Sequence, residues 1–219
     1  CNSADKYLYE KKAGGYRLNT DFKEEKFDFG RMFGFAYGEK ENGAVFSHMA
    51  VMYANALYKR GFIKEGYKVL KNLLDSAMDF ESSIMYPGIP EYFDNDGRGL
   101  YAYLTGAASW YMLTMITEVF GVRGELGNLV IKPALLSEQF DKDGKAAIKL
   151  NFSGRTLKIT IHADIDNIQD NNGVYNKIIR VECDGNELES ADLKKVVIMK
   201  KRIEEMSCER CHEIDVFIK

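Results

Sequence analysis

No run in this sequence approaches the ~20 consecutive apolar residues that a membrane-spanning helix needs, and no block of five or more basic residues gathers along it. The first absence excludes a transmembrane helix. The second excludes attraction of a phosphate backbone by field alone, the more so because 30 Lys and Arg stand against 33 Asp and Glu, for a net charge of −3. Nucleic acid is not an expected partner. The opening residues Cys1-Asn2-Ser3-Ala4-Asp5-Lys6 lack the basic-then-apolar order of a signal peptide, an absence of little weight in a sequence that opens without Met. Cysteine is scarce, and three of the four, Cys183, Cys208 and Cys211, stand beyond residue 180. That is no disulfide framework. Cys208-Glu209-Arg210-Cys211-His212 matches the pattern of covalent haem attachment, and C-x-x-C is half of a zinc site. Haem would need an apolar pocket and a second axial ligand, and zinc two further ligands. The other histidines, His48 and His162, stand far off in unrelated patterns. The pair is expected to be an accident of a turn before the last strand, and no metal or cofactor is expected.

Apolar side chains are plentiful: 46% of the 219 residues are hydrophobic and 12% aromatic, enough to bury a substantial core. Periodicity is helical up to about residue 126 and strand-like beyond it. Ala44 to Arg60 is apolar on nearly every side, which predicts a helix buried among helices, closed at Gly61. Ile63 to Met78 is amphipathic, with Ile63, Tyr67, Leu70, Leu74 and Ala77 as the apolar stripe of an outer helix. Ala107 to Phe120 is again apolar around most of its girth. Inner and outer helices alternating in this way suit a closed ring of helical hairpins. Residues 1 to 42 show no sustained period and are expected to lean on partners outside the sequence. From Asn128 the alternation predicts a small antiparallel β domain, with strands near 129–132, 148–152, 157–161, 179–183, 196–199 and 214–218. One face is expected to bury Ile148, Leu150, Phe152, Leu157, Ile159, Ile161, Ile179, Val181 and Cys183. His162 falls on the polar face and is expected to be a solvated histidine. The expected division is 1–125 and 126–219.

Two segments differ from plain scaffold. Glu41-Asn42-Gly43-Ala44-Val45-Phe46-Ser47-His48 sets a carboxylate just ahead of a buried helix and an imidazole in its opening turns. Tyr103-Leu104-Thr105-Gly106-Ala107-Ala108-Ser109-Trp110 offers Thr105 as a helix N-cap, followed by Gly106 with no side chain between its N–H and a ligand. Helix N-termini bind anions through free N–H groups and a favourable dipole, so two such termini can face one phosphate. Plainer accounts exist for each residue: Thr105 as an ordinary cap, Gly106 as a packing glycine, His48 as a hydrogen-bonded core residue, Glu41 as a first-turn charge.

Together the segments resemble the glycoside hydrolase family 94 phosphorylases. Glu41 to His48 matches a motif of the form E-N-G-G-x-F-x-H, and Leu104 to Trp110 one of the form L-T-G-x-A-S-W. Gly121-Val122-Arg123, a strand ending at Pro133, the segment Phe152 to Ile159 and the Val181 to Gly185 turn follow in the family's order. The resemblance implies the last helices of an (α/α)6 barrel, within residues 1–125, followed by a small antiparallel β domain. It implies an inverting β-glucoside phosphorylase with a cytoplasmic location, yielding α-glucose 1-phosphate. It assigns the donor sugar to Glu41 and the phosphate to His48, Thr105 and Gly106. The family's general acid is an aspartate beside a Trp in an earlier segment. The sole tryptophan here, Trp110, belongs to the second motif, so no catalytic acid is assigned within the chain. Implied partners are a β-glucan or β-linked oligosaccharide, inorganic phosphate, the remainder of the same polypeptide and a second copy in a homodimer.

An inverting hydrolase needs two carboxyl groups about 6.5–9.5 Å apart, one of them to deprotonate water. Phosphate arrives as a competent anionic nucleophile, so anion-holding groups replace that base. Gly97 to Gly106, with Gly30 to Tyr37 and Pro87 to Phe93, is closer to the 1,2-β-oligoglucan phosphorylases than to the disaccharide enzymes. Tyr92, Phe93, Tyr101 and Tyr103 are candidates to stack on acceptor sugars, or else core. Two other classes stand beside this reading: a non-catalytic carbohydrate-binding or regulatory remnant, and a haem or metal protein using Cys208, Cys211 and His212.

Overall fold

A computed structural model describes residues 1–85, 88–102, 106–163, 173–188 and 194–219. It divides the chain into two units, Cys1–Thr114 and Met115–Lys219. The first opens with helix α1 (Asn2–Tyr7) and the antiparallel pair β1 (Tyr9–Glu10) and β2 (Gly15–Tyr16), followed by a 3₁₀ segment, Phe27–Gly34. Strand β3 (Val45–Phe46) leads into α2 (Ser47–Lys59), then come α3 (Ile63–Met78) and the short α4 (Phe80–Ser83). Strands β4 (Tyr92–Phe93) and β5 (Gly99–Leu100) join β3 in one antiparallel sheet, and α5 (Gly106–Thr114) ends the unit.

Ala50, Ala54, Ala56 and Leu57 are strong helix formers, and α2 stops where Gly61 takes φ +80°. The Gly61 N–H donates to the Tyr58 carbonyl at 2.9 Å and the Phe62 N–H to Leu57 at 2.9 Å. That is the paired closure a left-handed residue after a helix permits. The helix buries Ala50, Val51, Ala54, Asn55, Leu57 and Tyr58. On α3 the buried set is Ile63, Gly66, Val69, Leu70, Leu73 and Ala77, while Leu74 is 43% exposed. The expected stripe through Leu74 is therefore displaced by one position, to Leu73. Gly66 accounts for the contact: a Cβ there would lie 2.6 Å from the Tyr58 ring, so α2 and α3 meet at closest approach along the Gly66 side. Asn55 donates from Nδ2 to Thr114 Oγ1 at 3.1 Å, both buried, which ties α2 to α5.

The aperiodic opening segment packs within this unit. Tyr16 is buried edge-on to Tyr53 of α2, the Tyr16 hydroxyl donates to Asp5, and Lys68 of α3 pairs with Asp5 at 2.7 Å.

In the second unit a π-helical turn, Met115–Val119, precedes β6 (Val122–Glu125), β7 (Asn128–Ile131) and β8 (Leu135–Leu136). Then follow β9 (Lys145–Phe152), β10 (Arg155–Ala163), β11 (Val174–Tyr175), β12 (Ile178–Cys183), β13 (Asn186–Glu187), β14 (Val196–Ile198), α6 (Lys200–Glu204) and β15 (Cys211–Ile218). The main sheet has the order β13-β12-β15-β10-β9. Its inner face buries Leu157, Ile159, Ile161, Val181, Cys183, Ile214, Val216 and Ile218, as period-two alternation requires. Ile179 departs from the expectation and is 54% exposed. The register against β15 shifts between Ile178 and Arg180, so the extra residue reverses the alternation and turns Ile178 inward instead.

The expected architecture, the last helices of an (α/α)6 barrel followed by one small antiparallel β domain, is not what the chain forms. Strands and helices are mixed: among the described residues five separate sheets are distributed over both units, and α2, α3 and α5 are the α-helices of eight or more residues. The strand pairs of the first unit are two residues long, too short for an alternation to show in sequence. The main sheet is not purely antiparallel either, since β10 and β15 run parallel from Thr156↔Cys211 to Ala163↔Ile218. Ala44 to Phe46 is not helical but leads through β3, and the expected 107–120 helix is α5 continued as the π turn. Of α5, apolar almost throughout, only Ala107 and Thr114 are buried.

His162 is not a merely solvated histidine. Its Nε2 lies 2.6 Å from Asp215 Oδ1, and its ring stacks on Phe217 at 4.6 Å. His212 is buried, with Nδ1 2.7 Å from Asp184 Oδ2 and Nε2 3.1 Å from the Ser207 carbonyl. Both neighbours are acceptors, so both bonds form together only when both ring nitrogens carry hydrogen. Burial raises the Asp184 pKa, but hydrogen bonds from His212 and the Glu213 N–H, with the Arg210 charge, outweigh it and hold the carboxyl below its ordinary value. Asp184→Asn is therefore expected to cost about 1–2 kcal/mol at neutral pH. A depressed folded-state pKa stabilises above the unfolded value and loses that stability as pH falls, so the gap between variant and unaltered chain should close below about pH 4. Urea unfolding at pH 7 and at acid pH checks this, and a gap that does not change with pH would show that the charge contributes nothing. No helix among the described residues is long and apolar enough to cross a membrane.

Candidate functional site

The Glu41-to-His48 segment is a tightly pinned turn that enters α2 through the edge strand β3. Val45 pairs with Phe93 and Phe46 with Tyr92, and the Ser47 N–H donates to the Glu91 carbonyl at 2.9 Å. Upstream, Glu39 and Asn42 form a bridge, and the Gly38 N–H donates to the Asn42 carbonyl at 2.6 Å. Asn42 is buried, its Nδ2 donating to the Phe35 carbonyl at 2.9 Å. Gly43 takes φ +78° with the Tyr37 ring 2.3 Å from where a Cβ would stand, so only glycine fits there. Arg17 donates to the Gly43 carbonyl at 2.8 Å and lies over the Tyr37 ring.

On this frame Glu41 is half-buried. Its Oε1 accepts from Arg31 at 2.7 Å, while Oε2 is buried with no partner among the described residues. Among the described residues the hydroxyl of the fully buried Ser47 and the buried Nε2 of His48 have no partner either. Buried polar atoms are nearly always satisfied, so each exception calls for an explanation. Three of the exceptions fall within eight consecutive residues, 41–48. Among the described residues no side chain caps the start of α2, where His48 is the second residue, and the positive end of its dipole lies there.

His48 and Gly106 are brought together. A Cβ on Gly106 would lie 2.4 Å from His48 Cε1 and 2.6 Å from Nδ1, so the imidazole occupies the space a side chain would need. The Trp110 ring, one helical turn on, lies 5.6 Å from the imidazole between centroids, tilted by 52°. The starts of α2 and α5 thus converge on one imidazole. Glu41 is placed on the same segment but contacts Arg31 rather than either of these. Thr105 and Tyr103 lie outside the described residues. Of the other aromatics, Tyr92 and Phe93 are 3% and 0% exposed and belong to the core, whereas Tyr101 is exposed with Lys40 3.4 Å over its ring.

Sequence reasoning missed Arg31, Ser47 and the pair Lys40–Glu91, 2.8 Å apart. Ser47 lay inside the motif and was legible there. Arg31, ten residues before Glu41, and Glu91, 51 after Lys40, gave no local signal. Tyr92 donates to Glu39 at 2.8 Å, and burial together with that bond pushes its phenol above the ordinary range. Beside the turn, Phe33, Phe35, Tyr37, Asn42, Asp21 and Glu24 help line an open groove of about 460 Å³.

No family model matches the chain. Among characterised proteins, a cellobionic acid phosphorylase of Neurospora crassa is 26% identical to it over 147 residues, covering 61% of this chain and 18% of that protein. The chain is similar to a glycoside phosphorylase. It spans less than a fifth of that relative's length.

Proposed function

We propose that residues 41–48 and the start of α5 form part of the phosphate and donor-sugar site of an inverting β-glucoside phosphorylase. One observation carries the reading: the unpartnered buried nitrogen of His48, on the uncapped start of α2, set against the side-chain-free Gly106 at the start of α5. Similarity to a cellobionic acid phosphorylase supports it. Phosphate attacks the anomeric carbon of a β-glucoside from the face opposite the leaving oxygen, which departs with a proton, and α-glucose 1-phosphate is released. His48 donates a hydrogen bond to phosphate, and the Gly106 backbone together with Thr105 holds further phosphate oxygens. No base is required, because the nucleophile is already an anion. Glu41 accepts from donor-sugar hydroxyls through its unpartnered oxygen, with Arg31 fixing the other. The general acid is an aspartate contributed from outside positions 1–219, and the aromatic and acidic groove beside Tyr37 is offered to further sugar units of a β-glucan.

Glu41→Gln in the full-length protein that carries this sequence tests the division of roles. It keeps the shape but loses the anionic acceptor, so kcat and the glucan dependence should fall on the order of tenfold, with the phosphate KM unchanged. Steady-state phosphorolysis with phosphate and glucan varied separately reads the split. A selective rise in the phosphate KM would move Glu41 out of the sugar site.

A further inference from the structure

We propose that Cys208 and Cys211 form a thiol–disulfide pair on the surface of the second unit, interconverted by exchange with a small disulfide of the glutathione type. Both thiols are free and exposed. His212 is turned into the core at 2% exposure, so strand alternation places Cys211, the first residue of β15, on the solvent side. The loop before it is closed on itself. The His212 ring reaches back to the Ser207 carbonyl at 3.1 Å, the Glu209 N–H donates to Ser207 Oγ at 3.1 Å, and the chain bends at residues 208, 209 and 210. Ser207 and His212 are thereby held together, and Cys208 and Cys211 are the next residues inward from the two ends of that closure. A disulfide needs Cα atoms roughly 4.4–6.8 Å apart, a span that a tight four-residue turn supplies.

Arg210 and His212 both bond Asp184 Oδ2, at 2.8 and 2.7 Å, and anchor the loop to the turn after β12. Cys183, beside that turn, is buried, and burial pushes its thiol up, which leaves it a poor nucleophile. Within this unit exchange therefore falls to the exposed pair. One thiolate attacks glutathione disulfide and releases one glutathione thiolate, giving a mixed disulfide. The second thiolate then attacks that sulfur and expels the remaining glutathione. Two protein thiols are oxidised to one disulfide, and one glutathione disulfide is reduced to two thiols.

The experiment incubates the full chain with excess glutathione disulfide and reads masses before and after trypsin, which cuts after Arg210. In the unaltered chain, whatever glutathione the exposed Cys1 takes up, the 203–219 segment should lose two hydrogen atoms and release Ile203–Arg210 joined to Cys211–Lys219 by a bond that dithiothreitol splits. Cys208→Ser and Cys211→Ser should each retain one glutathione on the remaining thiol of the pair. Joined peptides should form several-fold more slowly in urea, where the Ser207–His212 closure is lost. Glutathione on both thiols without joined peptides, a link through Cys1 or Cys183, or equal rates in urea and buffer would each overturn the proposal.

Discussion

Replacing His48 by alanine is expected to lower kcat/KM for phosphate on the order of 10-fold to 100-fold, equivalent to roughly 1.5–3 kcal/mol, the worth of a hydrogen bond to a charged group. The expectation rests on a nitrogen that is buried and has no partner among the described residues, so a ligand acceptor gains a bond that no described protein group holds. His48 sits at the second position of α2, where the helix dipole favours an anion as well. The loss should fall on phosphate and leave the glucan dependence nearly untouched, the opposite of the Glu41→Gln pattern. His48→Gln, which retains a donor, should recover part of the activity. The assay is steady-state phosphorolysis in the full-length protein with phosphate varied at saturating glucan, after circular dichroism has shown each variant to be folded. A phosphate dependence unchanged within about twofold would make His48 a packing residue and remove the basis of the anion site.

Gly106→Ala should act on the same site from the other side. Alanine is favoured over glycine in a helix by about 1 kcal/mol, so without a clash this change would stabilise the chain. The new methyl would stand 2.4 Å from His48 Cε1, well inside van der Waals contact, and either the imidazole swings away or the start of α5 moves. We expect a lower melting temperature and a rise in the phosphate KM on the order of tenfold, because the ring and the helix start no longer converge. Trp110 supplies an independent readout. It is the sole tryptophan of these 219 residues and its ring lies 5.6 Å from that of His48, so its fluorescence should shift in Gly106→Ala, measured on this chain alone. A variant that is more stable, with unaltered Trp110 emission and unaltered phosphate use, would show that His48 is not held against Gly106.

Local pattern carried some features of this protein without any structure. Period-two alternation in Leu157, Ile159 and Ile161, and in Ile214, Val216 and Ile218, marks strands whose inner face is fully buried, because the pleat sends every second side chain the same way. The 3.6-residue period of 63–78 marks α3 to the residue. The E-N-G-A-V-F-S-H run places a carboxylate ahead of a helix and an imidazole on its first turn, since eight residues of chain leave little freedom. What escaped local pattern was decided by partners distant in sequence. Leu73 rather than Leu74 is buried because Gly66 brings α3 against Tyr58. Ile179 faces out because a bulge against β15 resets the register. A two-residue strand such as β3 exists only through its hydrogen bonds to β4, for no period can be read from two residues, and the sequence therefore reads as helix where the chain forms sheet. The approach of Gly106 to His48 and of Arg31 to Glu41 likewise belongs to tertiary structure alone. Residue type and spacing determine which groups are available for chemistry, whereas which buried atom is left without a partner depends on every neighbour that could have satisfied it, and those neighbours are assembled only by the fold.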